Sequence, residues 1–194
     1  MESRASDASD FAVYGPTFLD VVMGPLDGPP VPGREAWVEG ALMCAGGAAN
    51  QAIALARLGT PVRLHSRVGV DQMGVFVDEM LAREGVDTSS CERVGDQNVT
   101  VSLSFDGDRA MTTRGTTALP RLGGDAPGCL LADVRGISAN SEVVSSWRER
   151  GTWVLADTAW DEAGAWDEAD LESLRMADVC TPNEEEALAY ARTD

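Results

Sequence analysis

Short apolar segments alternate with amphipathic segments along this chain, and that alternation limits the fold more than any other feature. The pattern predicts strands at 11–14, 62–68, 134–138, 153–156 and 179–180, and helices at 48–58, 72–83, 142–150, 171–177 and 184–192. Strands separated by helices of this length form right-handed βαβ units, whose helices cover both faces of a mostly parallel sheet. The sequence therefore predicts an α/β fold with such a sheet.

A second group of segments does not follow this order. Residues 98–105 alternate between apolar and polar side chains, and Asp106-Gly107 then leads into another extended segment at 109–113. An Asp-Gly pair between two such segments is typical of a β-hairpin. The hairpin is expected to form a small separate sheet with short strands predicted at 19–23, 36–38 and 41–44.

The net charge limits the partners of this chain. Its 194 residues carry 15 Lys and Arg against 32 Asp and Glu, a formal net charge of −17. Such a surface repels phosphate backbones and anionic lipids, so we expect no nucleic-acid partner and no membrane partner. The polar residues 1–10 lack the apolar core of a signal peptide and are expected to be a disordered tail, followed by one domain at 11–194.

Cysteine and histidine usage argues against several kinds of site. The four cysteines form no C-x-x-C pair, so we expect reduced thiols in a cytoplasmic protein rather than zinc ligands or disulfides. His65 is the single histidine and lies in a predicted strand, away from any Ser or Cys motif. This isolation argues against a histidine-dependent nucleophilic triad.

The segment Ala45-Gly46-Gly47-Ala48-Ala49-Asn50 precedes a predicted helix. Small residues let a ligand approach the backbone, the first helical turn offers unpaired N–H groups, and the Asn50 amide can donate to or accept from hydroxyl groups. The same residues would also allow tight packing of a helix on a sheet, and the segment alone favours neither interpretation. Its spacing differs from the G-x-G-x-x-G dinucleotide motif, which argues against a nicotinamide dehydrogenase.

Wider spacing distinguishes the two interpretations. Asn50 is followed by Ala52, Gly59 and Gly69, and the last begins a G-x-D-x-x-G segment at 69–74. This arrangement resembles the first signature of the ribokinase family of carbohydrate kinases, also called the PfkB family. Three further parts of the chain, in the family's order, resemble its first strand with a substrate-facing Asp, its lid hairpin and its T-P-N-x-x-E segment; they are residues 14–20, 98–114 and 181–186.

The resemblance implies a ribokinase-like fold, with a small β lid built from about 19–44 and 98–114. It also implies an ATP-dependent kinase that uses Mg²⁺ to phosphorylate a sugar hydroxyl. Because lid strands pair between subunits in this family, a homodimer is expected.

Residue roles follow from the matching positions. Asp20 would accept hydrogen bonds from sugar hydroxyls, and Gly46, Gly47 and Asn50 would line the sugar pocket. Asp157 is a further candidate substrate-binding residue, because it lies just past a predicted strand, where ligands gather in open α/β sheets.

The resemblance places Asn183 and Glu186 near the nucleotide phosphates, where Glu186 would organise Mg²⁺ through water. The same segment also suits a helix start without any catalytic role, because Thr181-x-x-Glu184 fits a capping box with Pro182 at the first helical position. We expect both interpretations to hold, since they use different residues.

The family's second signature, D-T-x-G-A-G-D, does not occur in these 194 residues. It supplies the catalytic base and the backbone anion hole, so the resemblance implies that the C-terminal part is missing and that this chain holds no catalytic residue. Little or no kinase activity is expected from it alone, and an uncovered sheet edge predicts poor solubility or association. Two alternatives remain: a nucleoside kinase of the same family, and a non-catalytic sugar-binding or degenerate fragment.

Overall fold

The computed structural model describes residues 10–161 and 163–193. The predicted tail lies outside the described residues except for Asp10, whose carboxylate accepts a hydrogen bond from the Gly128 N–H. The strands are β1 (Phe11–Tyr14), β2 (Thr17–Leu26), β3 (Gly40–Gly47), β4 (Val62–His65), β5 (Arg67–Val68), β6 (Glu92–Arg93), β7 (Asn98–Phe105), β8 (Asp108–Arg114), β9 (Cys129–Asp133), β10 (Trp153–Asp157) and β11 (Val179–Cys180). The helices are α1 (Ala48–Arg57), α2 (Gln72–Arg83), α3 (Val134–Ala139), α4 (Ser141–Glu149), α5 (Glu168–Glu172) and α6 (Glu184–Ala191), with a 3₁₀ turn at Ser173–Met176.

The main sheet has the strand order β11-β10-β9-β1-β4, and every pairing in it is parallel. Alternate residues of strand β1, which pairs with β9 and β4, point into two separate cores. Val13 belongs to the core beneath α1 and α2, and Ala12 belongs to the core beneath α3 and α4. The predicted parallel sheet with helices on both faces is therefore confirmed.

A second sheet, called the small sheet from here on, has the order β3-β2-β7-β8. Strand β2 runs antiparallel to β3 and parallel to β7, and β7 and β8 form the predicted hairpin. The predicted strand at 36–38 is wrong, since these residues lie in the connection before β3. That connection is rich in Gly and Pro, which disfavour strand pairing.

The predicted strand at 134–138 is also wrong, because helix α3 occupies this segment and the strand is β9 just before it. The Asp133 side chain accepts a hydrogen bond from the Gly136 N–H, and this N-cap starts the helix immediately after the strand. The apolar residues of α3 therefore resemble a short strand in sequence. The helix predicted at 171–177 begins earlier, as α5, and ends in the 3₁₀ turn.

Among the described residues, no helix combines the length and apolar character that crossing a membrane requires. All four cysteines are free thiols; Cys129 is buried, whereas Cys180 is exposed.

His65 is buried on the main sheet and meets Trp147 edge-on, with the ring centroids 6.4 Å apart. Burial lowers the pKa of His65 below its ordinary value of 6.5, and Arg63 lowers it further. Below pH 6.5 the His65 imidazole binds a proton in the unfolded chain, whereas in the folded chain it stays neutral until the pH reaches its lower pKa. Stability from this group is therefore complete above pH 6.5 and is lost as the pH falls towards the folded pKa.

We expect the contribution of His65 to the free energy of unfolding to fall between about pH 7.5 and about pH 5.5, and this part of the pH dependence to be absent from the His65→Leu variant. Urea unfolding followed by circular dichroism at these two pH values measures both slopes. Equal slopes in the two proteins would contradict a neutral, buried imidazole.

Candidate functional site

The carboxyl ends of the parallel strands bring acidic side chains together. Asp133 ends β9 and Asp157 ends β10, and the two residues are direct partners across the parallel pairing. Both side chains are half-buried. This edge of an open parallel sheet is where ligands bind in α/β folds, so these carboxylates mark the candidate site.

The predicted substrate residues Asp20 and Gly46 lie against each other in the small sheet. A Cβ on Gly46 would stand 2.6 Å from Asp20 Oδ1 and closer still to Oδ2, so only glycine leaves room for this carboxylate. Burial raises the pKa of Asp20, while a hydrogen bond with Thr100 and the charge of Arg109 lower it in part. A carboxylate that is half-desolvated and held in one position suits the binding of hydroxyl groups.

Gly47 and Asn50 lie at the start of helix α1. Gly47 is the N-cap and has a φ of 63°, a conformation that favours glycine, and a Cβ there would stand 2.8 Å from the Phe18 ring. The Ala48 N–H donates to the Pro16 carbonyl over 2.9 Å, so one of the N–H groups of the first turn is already used. Asn50 is exposed in the same turn.

Asp157, the remaining predicted substrate residue, has two acidic neighbours. Burial raises its pKa most, and the charges of Glu186 and Asp133 raise it further. Burial likewise raises the pKa of Asp133. The sequence analysis does not predict Asp133 as a site residue, because this residue precedes the segment that was wrongly predicted as a strand. The sequence does contain a signal for it, since an Asp at the end of an apolar segment and three residues before a Gly is typical of a helix N-cap after a strand.

The two predicted nucleotide-side residues start helix α6, and here the predicted capping box is wrong. Asn183, not Thr181, is the N-cap: its Oδ1 accepts from the Glu186 N–H over 2.9 Å, and Glu186 Oε2 accepts from the Asn183 N–H over 3.2 Å. The capping pair and the expected functional pair are therefore the same two residues. The reason lies in the backbone, since the chain is still extended at Asn183.

Glu186 is buried, and its Oε2 also accepts a hydrogen bond from the Thr158 hydroxyl over 2.7 Å. This bond ties the start of α6 to the end of β10 and fixes Glu186 beside Asp157. The Nδ2 group of Asn183 has no hydrogen-bond partner among the described residues, so it can donate to a ligand.

We expect Thr158→Val to lower the free energy of unfolding by about 1–3 kcal/mol, because it leaves a buried carboxylate with one donor fewer. Thr158→Ser keeps the hydroxyl and should stay close to the native chain. Chemical denaturation of the two variants measures the difference. If the Thr158→Val variant proves as stable as the Thr158→Ser variant, the hydrogen bond to Glu186 does not hold α6 in place.

A cavity of about 590 Å³ opens beside these strand ends. Its lining includes Tyr14, Asp133, Arg135, Trp160 and Asp161. This volume suits a small-molecule ligand. A larger hollow of about 810 Å³ lies within the connection around residues 25–39, away from every predicted site residue.

Within 10–161 and 163–193, no group of three or more His, Cys, Asp or Glu side chains is arranged to hold a metal ion directly. The chemistry around Glu186 nevertheless suits Mg²⁺ held through water, since carboxylate oxygens are the ligands this ion prefers. A cation there would also relieve the repulsion that raises the pKa of Asp157.

Comparison with known proteins finds a family model that matches part of the chain. Residues 38–118 match the model described as pfkB family carbohydrate kinase. The chain is 28% identical over 169 residues to fructokinase from Vibrio alginolyticus, an alignment that covers 76% of this chain and 55% of that protein. It thus spans about half the length of this curated relative.

Solved structures share the fold. The structure of fructokinase with bound ATP from Xylella fastidiosa matches with a TM-score of 0.73 and 23% identity, over 95% of this chain and 61% of that one. The structure of Arabidopsis thaliana ribokinase complexed with ribose and ATP matches with a TM-score of 0.71 and 23% identity, over 94% of this chain and 62% of that one. The predicted ribokinase-like fold and the predicted resemblance to the PfkB family are confirmed.

Proposed function

We propose that this chain, which has part of the ribokinase-like fold of the PfkB carbohydrate kinases, supplies the sugar-binding part of an ATP-dependent sugar kinase. The observation that carries the proposal is the contact between Gly46 and Asp20. This contact explains why position 46 is a glycine, since the absence of a side chain makes space for the Asp20 carboxylate, which can accept hydrogen bonds from hydroxyl groups. The named relatives, a fructokinase and a ribokinase, support the same class of substrate.

The sugar would lie between the strand ends of the main sheet and the small sheet, which would act as a lid. Asp20 would accept hydrogen bonds from its hydroxyl groups. Gly46 and Gly47 would let the ring approach the backbone, and the Asn50 amide would both donate and accept. Asp157 would bind a hydroxyl group from the side of the main sheet.

The nucleotide would lie at the start of helix α6. The free Nδ2 group of Asn183 can donate to a phosphate oxygen, and Glu186 would hold Mg²⁺ through water. When bound, Mg²⁺ neutralises charge on the phosphate groups during transfer. The solved fructokinase with bound ATP supports ATP as the cofactor.

These 194 residues contain no G-A-G-D segment and therefore neither the base nor the anion hole that the family uses. We assign no catalytic residue to this chain and expect little or no phosphoryl transfer from it alone. Loss of a single oxyanion donor costs about 100- to 1000-fold in rate, and here the whole set is absent.

Two further properties belong to the proposal. Met43, Val21 and Val101 are cross-strand neighbours on one face of the small sheet, and Met43 and Val101 are exposed, which supports pairing with a second copy through this sheet. The free thiols are consistent with a cytoplasmic location. Light scattering of the purified chain tests the dimer.

Calorimetry with fructose, ribose and adenosine, followed by an assay of ATP turnover, tests the function. Binding of a free sugar without turnover is the expected result. Preferential binding of adenosine would favour the nucleoside-kinase alternative, and turnover would contradict the expected inactivity. If neither a sugar nor adenosine binds, the proposal fails.

A further inference from the structure

We infer that Thr100 and Thr113 are positioning residues of the proposed sugar site, because their hydroxyl groups form a relay across the small sheet that holds the Asp20 carboxylate in one orientation. The inference deepens the proposed function and rests on it, since Asp20 binds a sugar only in that proposal. The relay itself can be measured without a ligand, so the relay and the proposed function can fail separately.

Asp20, Thr100 and Thr113 form one row across three neighbouring strands. Asp20 on β2 is the direct partner of Thr100 on β7, and Thr100 is the direct partner of Thr113 on β8. Residues paired in this way point to the same face of a sheet, so the three side chains lie side by side. The apolar residues that alternate with Thr100 along β7, such as Val99 and Val101, belong to the opposite face.

The Thr100 hydroxyl group contacts both of its neighbours in this row. It forms a hydrogen bond with the Asp20 carboxyl group, and its Oγ1 lies 3.1 Å from Thr113 Oγ1. Thr100 is buried, and a buried hydroxyl group needs hydrogen-bond partners inside the protein. Valine would suit a strand as well as threonine does, so strand propensity alone gives no reason for a hydroxyl group at this position.

The chemistry of the three groups sets the direction of each hydrogen bond. A charged carboxylate only accepts, so the single hydroxyl proton of Thr100 is donated to Asp20. Thr100 then has no proton left for Thr113, and the Thr113 hydroxyl must donate to Thr100 Oγ1. The relay therefore runs from Thr113 through Thr100 to Asp20, and each hydrogen bond strengthens the next because it polarises the shared hydroxyl group.

Asp20 is held between its two neighbouring strands. On the β3 side, the missing side chain of Gly46 leaves room for the carboxylate, and on the β7 side Thr100 donates to it. Two ionisable groups also act on this region: Cys44, the direct partner of Asp20 on β3, and Arg109, which is exposed on β8 and lowers the pKa of Asp20. The charge of Arg109 does not fix the direction in which the carboxylate points, whereas the hydrogen bond from Thr100 does.

Calorimetry on the 194-residue chain with fructose, or with ribose if the chain binds only ribose, measures the effect on binding. Thr100→Val should weaken binding about tenfold, because the carboxylate loses the donor that orients it. Thr113→Val should weaken it about two- to threefold, because this residue acts only through Thr100. Thr100→Ser and Thr113→Ser keep the hydroxyl groups and should bind as the native chain does.

Thr112→Val is the matched control, because Thr112 neighbours Thr113 on β8 but pairs with Val101 and so faces the other side of the sheet. It should leave the sugar affinity unchanged. In a Thr100→Val background, Thr113→Val should cause no further loss, since the path to Asp20 is already broken. Losses that add in the double variant would show that Thr113 acts by another path, and would overturn the relay.

A second measurement needs no sugar. Titration of the Asp20 carboxyl carbon by NMR, with the signal assigned from Asp20→Asn, gives the pKa of this group in each variant. Thr100→Val should raise that pKa further, and Thr113→Val should raise it by less, because each change removes part of what stabilises the charged form. A purely structural role of the two threonines would change the thermal midpoint and leave this pKa in place.

The outcomes separate the relay from the proposed function. An unchanged pKa of Asp20 in both valine variants overturns the relay, whatever the thermal midpoints are. Native sugar affinity in both variants overturns the positioning role and leaves the proposed function standing. If the native chain binds neither fructose nor ribose, the proposed function fails and the positioning role at a sugar site fails with it, even where the pKa shifts show the relay.

Discussion

The Gly74→Ala variant is expected to be less stable than the native chain by about 3 kcal/mol or more. Gly74 is buried in the first turn of α2, and a Cβ there would stand 2.7 Å from Gly69 Cα and closer still to the Gly69 carbonyl. Helix propensity alone predicts the opposite sign, a gain of about 1 kcal/mol for alanine. The steric clash outweighs the gain in helix propensity, because the Gly69 atoms that the new Cβ meets belong to the backbone and cannot rotate away.

The loss should extend beyond the helix. Asp71 accepts from the Gly74 N–H over 2.8 Å through Oδ1 and from the Gln97 N–H over 3.2 Å through Oδ2, so it ties α2 to the start of β7. Moving Gly74 strains both bonds. These two hydrogen bonds give Asp71 a structural role.

Urea unfolding followed by circular dichroism measures the effect. Gly123→Ala is the matched control, because a Cβ on Gly123 meets nothing within 4 Å, and it should change stability by less than about 0.5 kcal/mol. Similar stability of the two variants would show that α2 can shift away from Gly69 at little cost.

Replacing Asp20 should separate binding from stability. Asp20→Asn is expected to weaken sugar binding by about 10- to 100-fold, since hydrogen bonds to a charged group contribute about 1.5–3 kcal/mol. Gly46→Ala should have a similar effect on binding, because its Cβ would displace the same carboxylate.

The Asp20→Asn variant should be at least as stable as the native chain, although it binds the sugar more weakly. Burial raises the pKa of Asp20 above its ordinary value of 3.8, so the folded chain binds this proton more tightly than the unfolded chain does. The contribution of this carboxyl group to stability therefore falls as the pH rises from 3.8 through the folded pKa, and the loss is complete at neutral pH. Asparagine carries no charge to desolvate, and the thermal midpoint should be equal or higher.

Calorimetry and thermal unfolding at neutral pH test both parts. Asp125→Asn, a substitution of an exposed loop residue, is the control and should change neither property. Unchanged sugar affinity in Asp20→Asn would remove Asp20 from the proposed site. A large drop in thermal midpoint would instead show that the carboxylate is structural.

Local sequence was sufficient to predict an element where capping or turn residues lie at its two ends. Helix α2 occupies the predicted residues, because Asp71 caps its first turn and Gly85 adopts a φ of 78° after its last. Strand β7 also has its predicted bounds, and the Asp106-Gly107 pair turns the chain into β8. Each of these signals acts within a few residues.

Prediction failed where local patterns permit two structures and distant contacts select one. The apolar residues of α3 are compatible with a strand, and the pairing of β9 with β1 and β10 places the strand before Asp133, whose local cap then starts the helix. Residues 181–186 permit two capping boxes. The bond between Thr158 and Glu186 favours the one that starts at Asn183.

The sequence by itself determined the α/β class, the small sheet and the resemblance to the PfkB kinases, because periodicity, turn residues and glycine spacing are local properties. Only the tertiary structure decided that Gly46 makes room for Asp20, and that Thr100 lies beside Asp20 on the next strand. Those contacts join residues 26 and 80 positions apart in the chain, and their energies depend on burial and distance, which exist only after the chain has folded.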